Sequence, residues 1–276
     1  MLLYPNCKIN IGLNVIGKRQ DGFHNIESVF YPINWCDAIE IIENNDDNQE
    51  FTLNTSGNPL RVEMTENIVF KTWKQLTGLY KIPKIKVHLH KNIPSGAGLG
   101  GGSADAAFFI KALNQKFNLD ISSDITFKIA SSLGSDCAFF LRNEPLFAQG
   151  KGNEFSEIKL KLDEYYILIV YPNINIHTKE AYSNVSIFPI NESINTIIGT
   201  HPVEIWKNVL KNDFEPSVFK KFPEIDELKQ LLYKSGAHYA SMSGSGSAVY
   251  GIFSEMPQIN FPDSYKFFLQ RPLQKF

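Results

Sequence analysis

The chain has 276 residues, 43% of them hydrophobic and 20% charged, with a formal net charge of −2 at pH 7. That length allows one large domain or two lobes around an ample core, and the composition excludes a disordered chain. The near-neutral charge offers nothing that would hold a nucleic acid or a membrane surface.

Three cysteines, Cys7, Cys36 and Cys137, lie far apart with no CxxC pair. They point to reduced thiols in a cytoplasm rather than a disulfide framework or a zinc site. The opening MLLYPNCKIN has no basic segment leading into an apolar stretch, so no secretory signal is expected. There is no internal repeat and no low-complexity tract.

Taken in chain order, KINIGLNVIG and DAIEIIE alternate apolar and polar positions and predict strands. Residues Thr65–Tyr80 predict a helix with Val69, Trp73, Leu76 and Tyr80 on one face and Thr65 as its cap. IKVHLHK, Ile85–Lys91, predicts a strand that runs into a glycine-rich loop. A helix follows, with Ala106, Phe109, Leu113 and Phe117 on one face, then another over Ser122–Leu133. GSDCAFFL begins as a loop and ends apolar. The shift in composition at Asn143–Glu154 suggests a hinge or lobe boundary. YYILIVY, Tyr165–Tyr171, is far too short to cross a membrane and suits a buried strand. Helical stretches are expected at Pro202–Leu210 and Glu224–Lys234, and Ala237–Phe253 reads as strand, glycine turn, strand. The pattern is that of a mixed α+β protein of two lobes.

The loop PSGAGLGGGS places five glycines in residues 96–102. Gly96, Gly98 and Gly101 fit G-x-G-x-x-G, but a dinucleotide fold needs a following parallel strand ending in an acid, and NLDISSDITFKIAS reads as another helix. No Walker A lysine motif is present, and the H-R-D and D-F-G motifs of protein kinases are missing. What remains is a glycine loop feeding directly into a helix, with Ser103 near the first turn. Such a helix start presents backbone N–H groups and a favourable dipole to an anion, and a triphosphate fits it. Ser103 then binds a phosphate oxygen or magnesium, or simply caps the helix. The glycines alternatively form a tight packing turn.

PSGAGLGGGSADAA resembles the central motif of the GHMP kinases, the galactose, homoserine, mevalonate and phosphomevalonate kinase superfamily. KINIGLNVIGKRQDGFHNIESVF and SMSGSGSAVYGIF resemble its N-terminal and C-terminal motifs, and LGSDCAFFL, NIHTKEAY and NDFEP follow in the expected order. DGFH close behind KINIGLN resembles the branch of the superfamily that acts on a cytidine diphosphate derivative. The resemblance implies a two-lobed α+β GHMP-kinase fold with its active site in the cleft between lobes. Residues 1–152 would form the lobe with the glycine loop and catalytic residues, and 153–276 the other. The implied reaction moves the γ-phosphate of ATP, with Mg2+, onto the 2-hydroxyl of 4-diphosphocytidyl-2-C-methyl-D-erythritol, a step of the non-mevalonate isoprenoid pathway. The implied partners are this small molecule, no nucleic acid and no membrane, for a monomer or weak homodimer.

Residue roles follow from the resemblance position by position. Asp136 matches the catalytic aspartate, where a carboxylate takes the acceptor's proton; alone, it reads as a loop or helix-cap residue. Lys8 matches the active-site lysine; alone, it reads as a solvated lysine on an edge strand. The implied ATP set is Asn67, Pro94, Ser95, Gly96, Ala97, Gly98, Leu99, Gly100, Gly101, Gly102 and Ser103. Phe23 and Tyr182 match two aromatics that sandwich cytosine, and His24 matches the contact to its edge. Asn10 and Thr178 match contacts to the methylerythritol part. Gly244, Ser245 and Gly246, with Ser243, form the last loop near the acceptor. Without the resemblance, these are ordinary core aromatics, a structural histidine, a turn asparagine, a helix cap and a hairpin turn.

The chain departs from the family pattern in four places, one of them a pair of adjacent residues. The first motif starts PNCK rather than with small residues, and Phe23 replaces a tyrosine. Cys137 and Ala138 replace valine and proline. Asp105 stands where some members have asparagine, as a negative charge near the triphosphate or a partner of the helix N-terminus. Three other readings compete: a kinase for another small alcohol, a non-catalytic nucleotide- or RNA-binding module, and an NAD-dependent oxidoreductase. DGFH and the aromatic pair oppose the first. The presence of Lys8 and Asp136 and the slightly negative charge oppose the second. The missing strand and acid oppose the third.

Overall fold

The computed structural model describes residues 1–45, 49–60, 62–183, 185, 187 and 192–273. In the first part of the chain, apolar alternation yields β1 (Leu2–Leu3), β2 (Asn6–Lys18), β3 (His24–Cys36), β4 (Ala38–Glu43) and β5 (Phe51–Gly57). Helix α1 (Ile68–Thr77) follows, then β6 (Ile85–Lys91), α2 (Gly101–Phe117), α3 (Ser123–Leu133) and α4 (Cys137–Arg142). After a hairpin of β7 (Leu146–Gln149) and β8 (Glu154–Glu157) come β9 (Tyr166–Tyr171) and α5 (Thr178–Ser183). Four more helices, α6 (Ile194–Thr200), α7 (Val203–Val209), α8 (Glu215–Lys221) and α9 (Pro223–Lys234), lead to β10 (Tyr239–Met242), β11 (Val249–Phe253) and β12 (Lys266–Gln270).

The chain divides into two compact units. The first comprises Met1–Cys7, Asn34–Ser95 and Gly100–Glu144, and the second Lys8–Ile33, Gly96–Leu99 and Pro145–Phe276. In the first unit, a sheet ordered β1-β4-β6-β5 packs its apolar face on α1, α2 and α3. Ile39, Ile41, Val87 and Leu89 meet Val69, Leu76, Phe109, Ile110 and Leu113 in that core. Strand β5 runs parallel to β6, and β4 antiparallel to it. The second unit holds the sheet β10-β11-β9-β12, antiparallel throughout, and the sheet β2-β3-β7-β8. Its core gathers Leu168, Val170, Phe214, Leu228, Leu232, Met242 and Val249.

Two local expectations change. Helix α1 starts at Ile68, not Thr65, because Thr65 lies in a 3-10 turn (Met64–Glu66) and the Asn67 side chain accepts the N–H of Val69. Asn67 is therefore the cap, as its short acceptor side chain suits. Strand β2 does not alternate between core and solvent: its first ten residues are all buried, the polar Asn6, Lys8, Asn10 and Asn14 included. Burying four polar side chains among apolar neighbours requires partners for each. Those partners outline the candidate site. No described helix is long and apolar enough to cross a membrane.

Candidate active site

In the second unit, β2 is an edge strand of its sheet, yet Lys8 is only 3% exposed. Its ammonium donates to Asn10 Oδ1 at 2.5 Å and to the carbonyl of Gly98 at 3.1 Å, and lies 4.8 Å from the centre of the Phe30 ring. A solvated lysine is therefore ruled out. A buried cation costs several kcal/mol unless its hydrogens are matched, which these acceptors help to do.

Asn10 is bonded on every side. Its Nδ2 donates to Ser28 Oγ at 2.9 Å, and Ser28 Oγ donates to the carbonyl of Gly12 at 2.7 Å. Its N–H donates to Ser243 Oγ at 3.2 Å, and its carbonyl accepts the Tyr250 hydroxyl at 2.8 Å. Ser243 Oγ in turn donates to the carbonyl of Gly98 at 3.0 Å. The N–H of Ala248 reaches the carbonyl of Ala97, and the N–H of Lys8 reaches that of Leu99. Residues 96–99 of the glycine loop are thus fastened to β2 and to the turn between β10 and β11.

This fastening explains two glycines by sterics. Gly98 has φ +76°, and a Cβ there would collide with the carbonyl oxygen of Ser243. A Cβ on Gly96, at φ +68°, would collide with the Asn175 side chain. Gly102 differs. It is exposed in the first turn of α2, and an added Cβ would meet only a methyl of Ile68 at 3.9 Å. Neither packing nor conformation demands glycine there. A bare backbone does leave the helix start open to an approaching anion.

In the first unit, Gly100 caps α2 in the left-handed conformation, so Ser103, third in the helix, is not the cap. Pro94 is buried and Ser95 exposed in the turn before it. Leu99 and Ala97 are buried within the second unit's portion of the loop. Asp136 stands immediately before α4 and makes no capping hydrogen bond; its Oδ1 accepts from Ser135 Oγ at 3.3 Å. The helix-cap reading of Asp136 therefore fails. Burial pushes the neighbouring Cys137 thiol up to about 11, so it stays protonated and unreactive at neutral pH. Asp105 neither caps the helix nor points outward: it is 1% exposed and ion-paired with Lys91 at 2.7 Å.

The residues that the resemblance assigns to the acceptor, His24, Phe23, Thr178, Tyr182 and the turn at Gly244–Gly246, lie in the second unit. His24 opens β3, and its ring stacks on Tyr182 with centroids 4.9 Å apart and planes 20° from parallel. Tyr182 also meets Phe214 edge-on at 4.7 Å. Desolvation, helped by the charge of Lys18, lowers the His24 imidazole below its usual range, so it is neutral at pH 7. Phe23 is 59% exposed, with the Lys151 ammonium 4.8 Å from its ring centre. Thr178 begins α5, and its Oγ1 lies 3.2 Å from Ser245 Oγ. Gly244 and Gly246 both have positive φ in the turn that carries Ser245.

Several supporting residues escape sequence reading. Asn212 Nδ2 donates to the carbonyls of Met242 and Gly244 at 2.9 and 2.8 Å. Glu215 accepts from Ser241 Oγ and from the N–H of Met242, and pairs with Lys229 at 2.6 Å. These NDFEP residues set the turn that holds Gly98. The motif itself is visible, but nothing in its spacing says that it grips a turn thirty residues later.

The family model "GHMP kinases N terminal domain" matches residues 67–144, and "GHMP kinases C terminal" matches 203–268. A relative from Bacteroides fragilis named 4-diphosphocytidyl-2-C-methyl-D-erythritol kinase is 48% identical over 95% of this chain and 96% of its own. One of the same name from Bacteroides thetaiotaomicron is 47% identical over 96% and 95%. A crystal structure of 4-(cytidine 5'-diphospho)-2C-methyl-D-erythritol kinase superposes with a TM-score of 0.75 at 27% identity, covering 91% of this chain and 90% of that one.

Proposed function

The chain belongs to the GHMP kinases, and from that premise we propose that it phosphorylates the 2-hydroxyl of 4-diphosphocytidyl-2-C-methyl-D-erythritol with ATP, giving the 2-phosphate and ADP. This is a step of the non-mevalonate isoprenoid pathway. The observation that carries the reading is the near-full-length likeness to relatives of that name. The fold, α+β with the GHMP topology, agrees with it.

ATP is the co-substrate of such a kinase. The first turn of α2, opened by Gly100, Gly101 and Gly102, suits its phosphates, because those N–H groups have no intrahelical acceptor. Asn67, Pro94 and Ser95 complete the nucleotide side in this reading. No described cluster of three or more His, Cys, Asp or Glu could hold a metal alone. A magnesium ion bound through the nucleotide's oxygens, with the hydroxyl of Ser103 as a protein contact, fits that donor set and would neutralise charge on the phosphates.

In the transfer, the 2-hydroxyl oxygen forms a bond to the γ-phosphorus as the bond to the β–γ bridging oxygen breaks. Asp136 takes the hydroxyl proton. Lys8, held by Asn10 and Gly98, offers its charge to the transferred group. Little covalent chemistry is asked of the protein; positioning and charge do most of the work. Phe23 and Tyr182 hold the cytosine, and neutral His24 reads its edge. Asn10, Thr178 and the turn at Gly244, Ser245 and Gly246 hold the methylerythritol part.

Titration calorimetry with CDP and UDP tests the acceptor side. CDP should bind at least about tenfold tighter, because a flat aromatic face accepts either base while an edge contact does not. Equal binding, or none, would contradict the cytidyl assignment.

A further inference from the structure

Lys91, Asp37 and Asp105 form a fully buried ion triad in the first unit. The Lys91 ammonium bridges Asp37 Oδ2 and Asp105 Oδ2. Asp37 Oδ1 accepts the backbone N–H groups of Asn92 and Ile93, at 2.6 and 2.8 Å. These are the first two residues beyond β6, where the chain leaves the sheet for the glycine loop. Asp105 lies in the second turn of α2, where the chain leaves that loop. Gly101 closes the arrangement: an added Cβ would sit 2.9 Å from Ile93 Cγ2 and 3.5 Å from Asp37 Oδ2.

As a source of stability the triad is poor. Two carboxylates share one cation, and Asp105 Oδ1 is buried with no hydrogen-bond partner. Well-packed apolar side chains of similar size often match or exceed such a cluster in stability, while an orphaned buried polar atom costs free energy. What an apolar cluster cannot do is fix direction. Here one ammonium and one carboxylate tie the two ends of a loop rich in glycine, whose backbone freedom would otherwise let α2 turn.

We propose that Lys91, with Asp37 and Asp105, is a positioning residue for phosphoryl transfer: it clamps β6 to α2 and so aims the first-turn N–H groups of α2 at the ATP phosphates. The inference rests on the phosphate-binding reading of α2. It predicts that the triad sets ATP affinity and leaves acceptor affinity alone.

The test compares ATP and acceptor kinetics, and ADP binding by calorimetry, in Lys91→Met, in the triple variant Asp37→Asn/Lys91→Met/Asp105→Leu, and in Lys91→Arg. The triple variant removes all three buried charges while the amide at position 37 still accepts the N–H groups of Asn92 and Ile93, so it should melt near the wild type, yet bind ADP and use ATP at least about tenfold more weakly, with acceptor KM within about twofold. Lys91→Arg keeps the charge but not the head-group geometry, so it should fold and still raise the KM for ATP about threefold or more. ATP KM within about twofold of wild type in any folded variant overturns the clamp, as does an equal rise in both KM values. Wild-type protein that binds ADP but turns over no acceptor would instead count against the proposed reaction, and the binding comparison would still decide the clamp.

Discussion

The carbonyl of Gly98 accepts two hydrogen bonds, from the Lys8 ammonium at 3.1 Å and from Ser243 Oγ at 3.0 Å. A strand near the start of the chain, the glycine loop and the last glycine turn therefore meet at one oxygen. Replacing Lys8 by Met removes a buried donor from this point and the charge assigned to the transferred phosphoryl group. Turnover should fall at least about a hundredfold, the scale of losing one charged stabiliser. The melting temperature should fall too, by the equivalent of about 1–3 kcal/mol for the acceptors left unmatched. ADP release and a thermal melt on the same preparation check both.

Asp136 makes no capping bond in α4, so Asp136→Asn should leave the fold intact. ATP binding should stay near normal while kcat drops by about 10²–10⁴, the contribution of a positioned general base. A near-normal kcat, measured by ADP release, would remove Asp136 from that role.

Two glycines in the same loop should respond in opposite ways. Gly98→Ala forces a Cβ onto the Ser243 carbonyl at a positive φ and should destabilise the protein by more than about 3 kcal/mol or prevent folding. Gly102→Ala has open space and ordinary helical geometry. It should raise the melting temperature, by up to about 1 kcal/mol of helix propensity, while raising the KM for ATP. Paired melts and ATP titrations separate packing glycines from the ligand-facing one.

Phe23→Ala should leave stability unchanged, since the ring is largely exposed, and should raise the KM of the cytidyl substrate. Loss of one stacking face is worth about 1–3 kcal/mol, or roughly tenfold to a hundredfold. Tyr182→Ala should raise the same KM and also cost stability, because its ring packs on His24 and Phe214. An unchanged KM in both would exclude the stacking role.

Burial, opposed by Lys91 and reinforced by Asp37, pushes Asp105 up to about 7 from 3.8. The folded chain then holds a proton that the unfolded chain releases near 3.8. The stability this proton supplies is complete below that value and is lost as pH rises to about 7. Asp105→Asn cannot ionise and keeps an acceptor for Lys91. The melting temperature of the variant relative to wild type should therefore rise between about pH 4 and pH 7 and level off above that. A constant difference across that range would contradict the assignment.

Much of this architecture is legible in the chain. The strand Ile85–Lys91 and the helices over Ser122–Leu133 and Glu224–Lys234 follow from periodicity, because each has one apolar face and one core to bury it in. The glycine motif announces the loop before α2. Less legible is why each glycine is there: Gly98 answers to the Ser243 carbonyl, a partner 145 residues away. Lys8 and Asn10 look like the solvent side of an alternating strand, and only tertiary partners such as Ser28, Ser243 and Gly98 explain their burial. The Lys91 triad is invisible locally, since its charges come from the junction of β3 and β4, from the end of β6 and from α2. Thr65 was outcompeted as a cap by Asn67, which stands immediately before the helix and whose side-chain oxygen accepts the N–H of Val69.

The most direct measurement is a coupled ADP-release assay on purified protein with Mg-ATP, comparing 4-diphosphocytidyl-2-C-methyl-D-erythritol with homoserine, phosphomevalonate and no acceptor. Release should depend on the cytidyl substrate and exceed every other arm. Release driven by homoserine or phosphomevalonate, or no stimulation by any acceptor while ATP still binds, would contradict it.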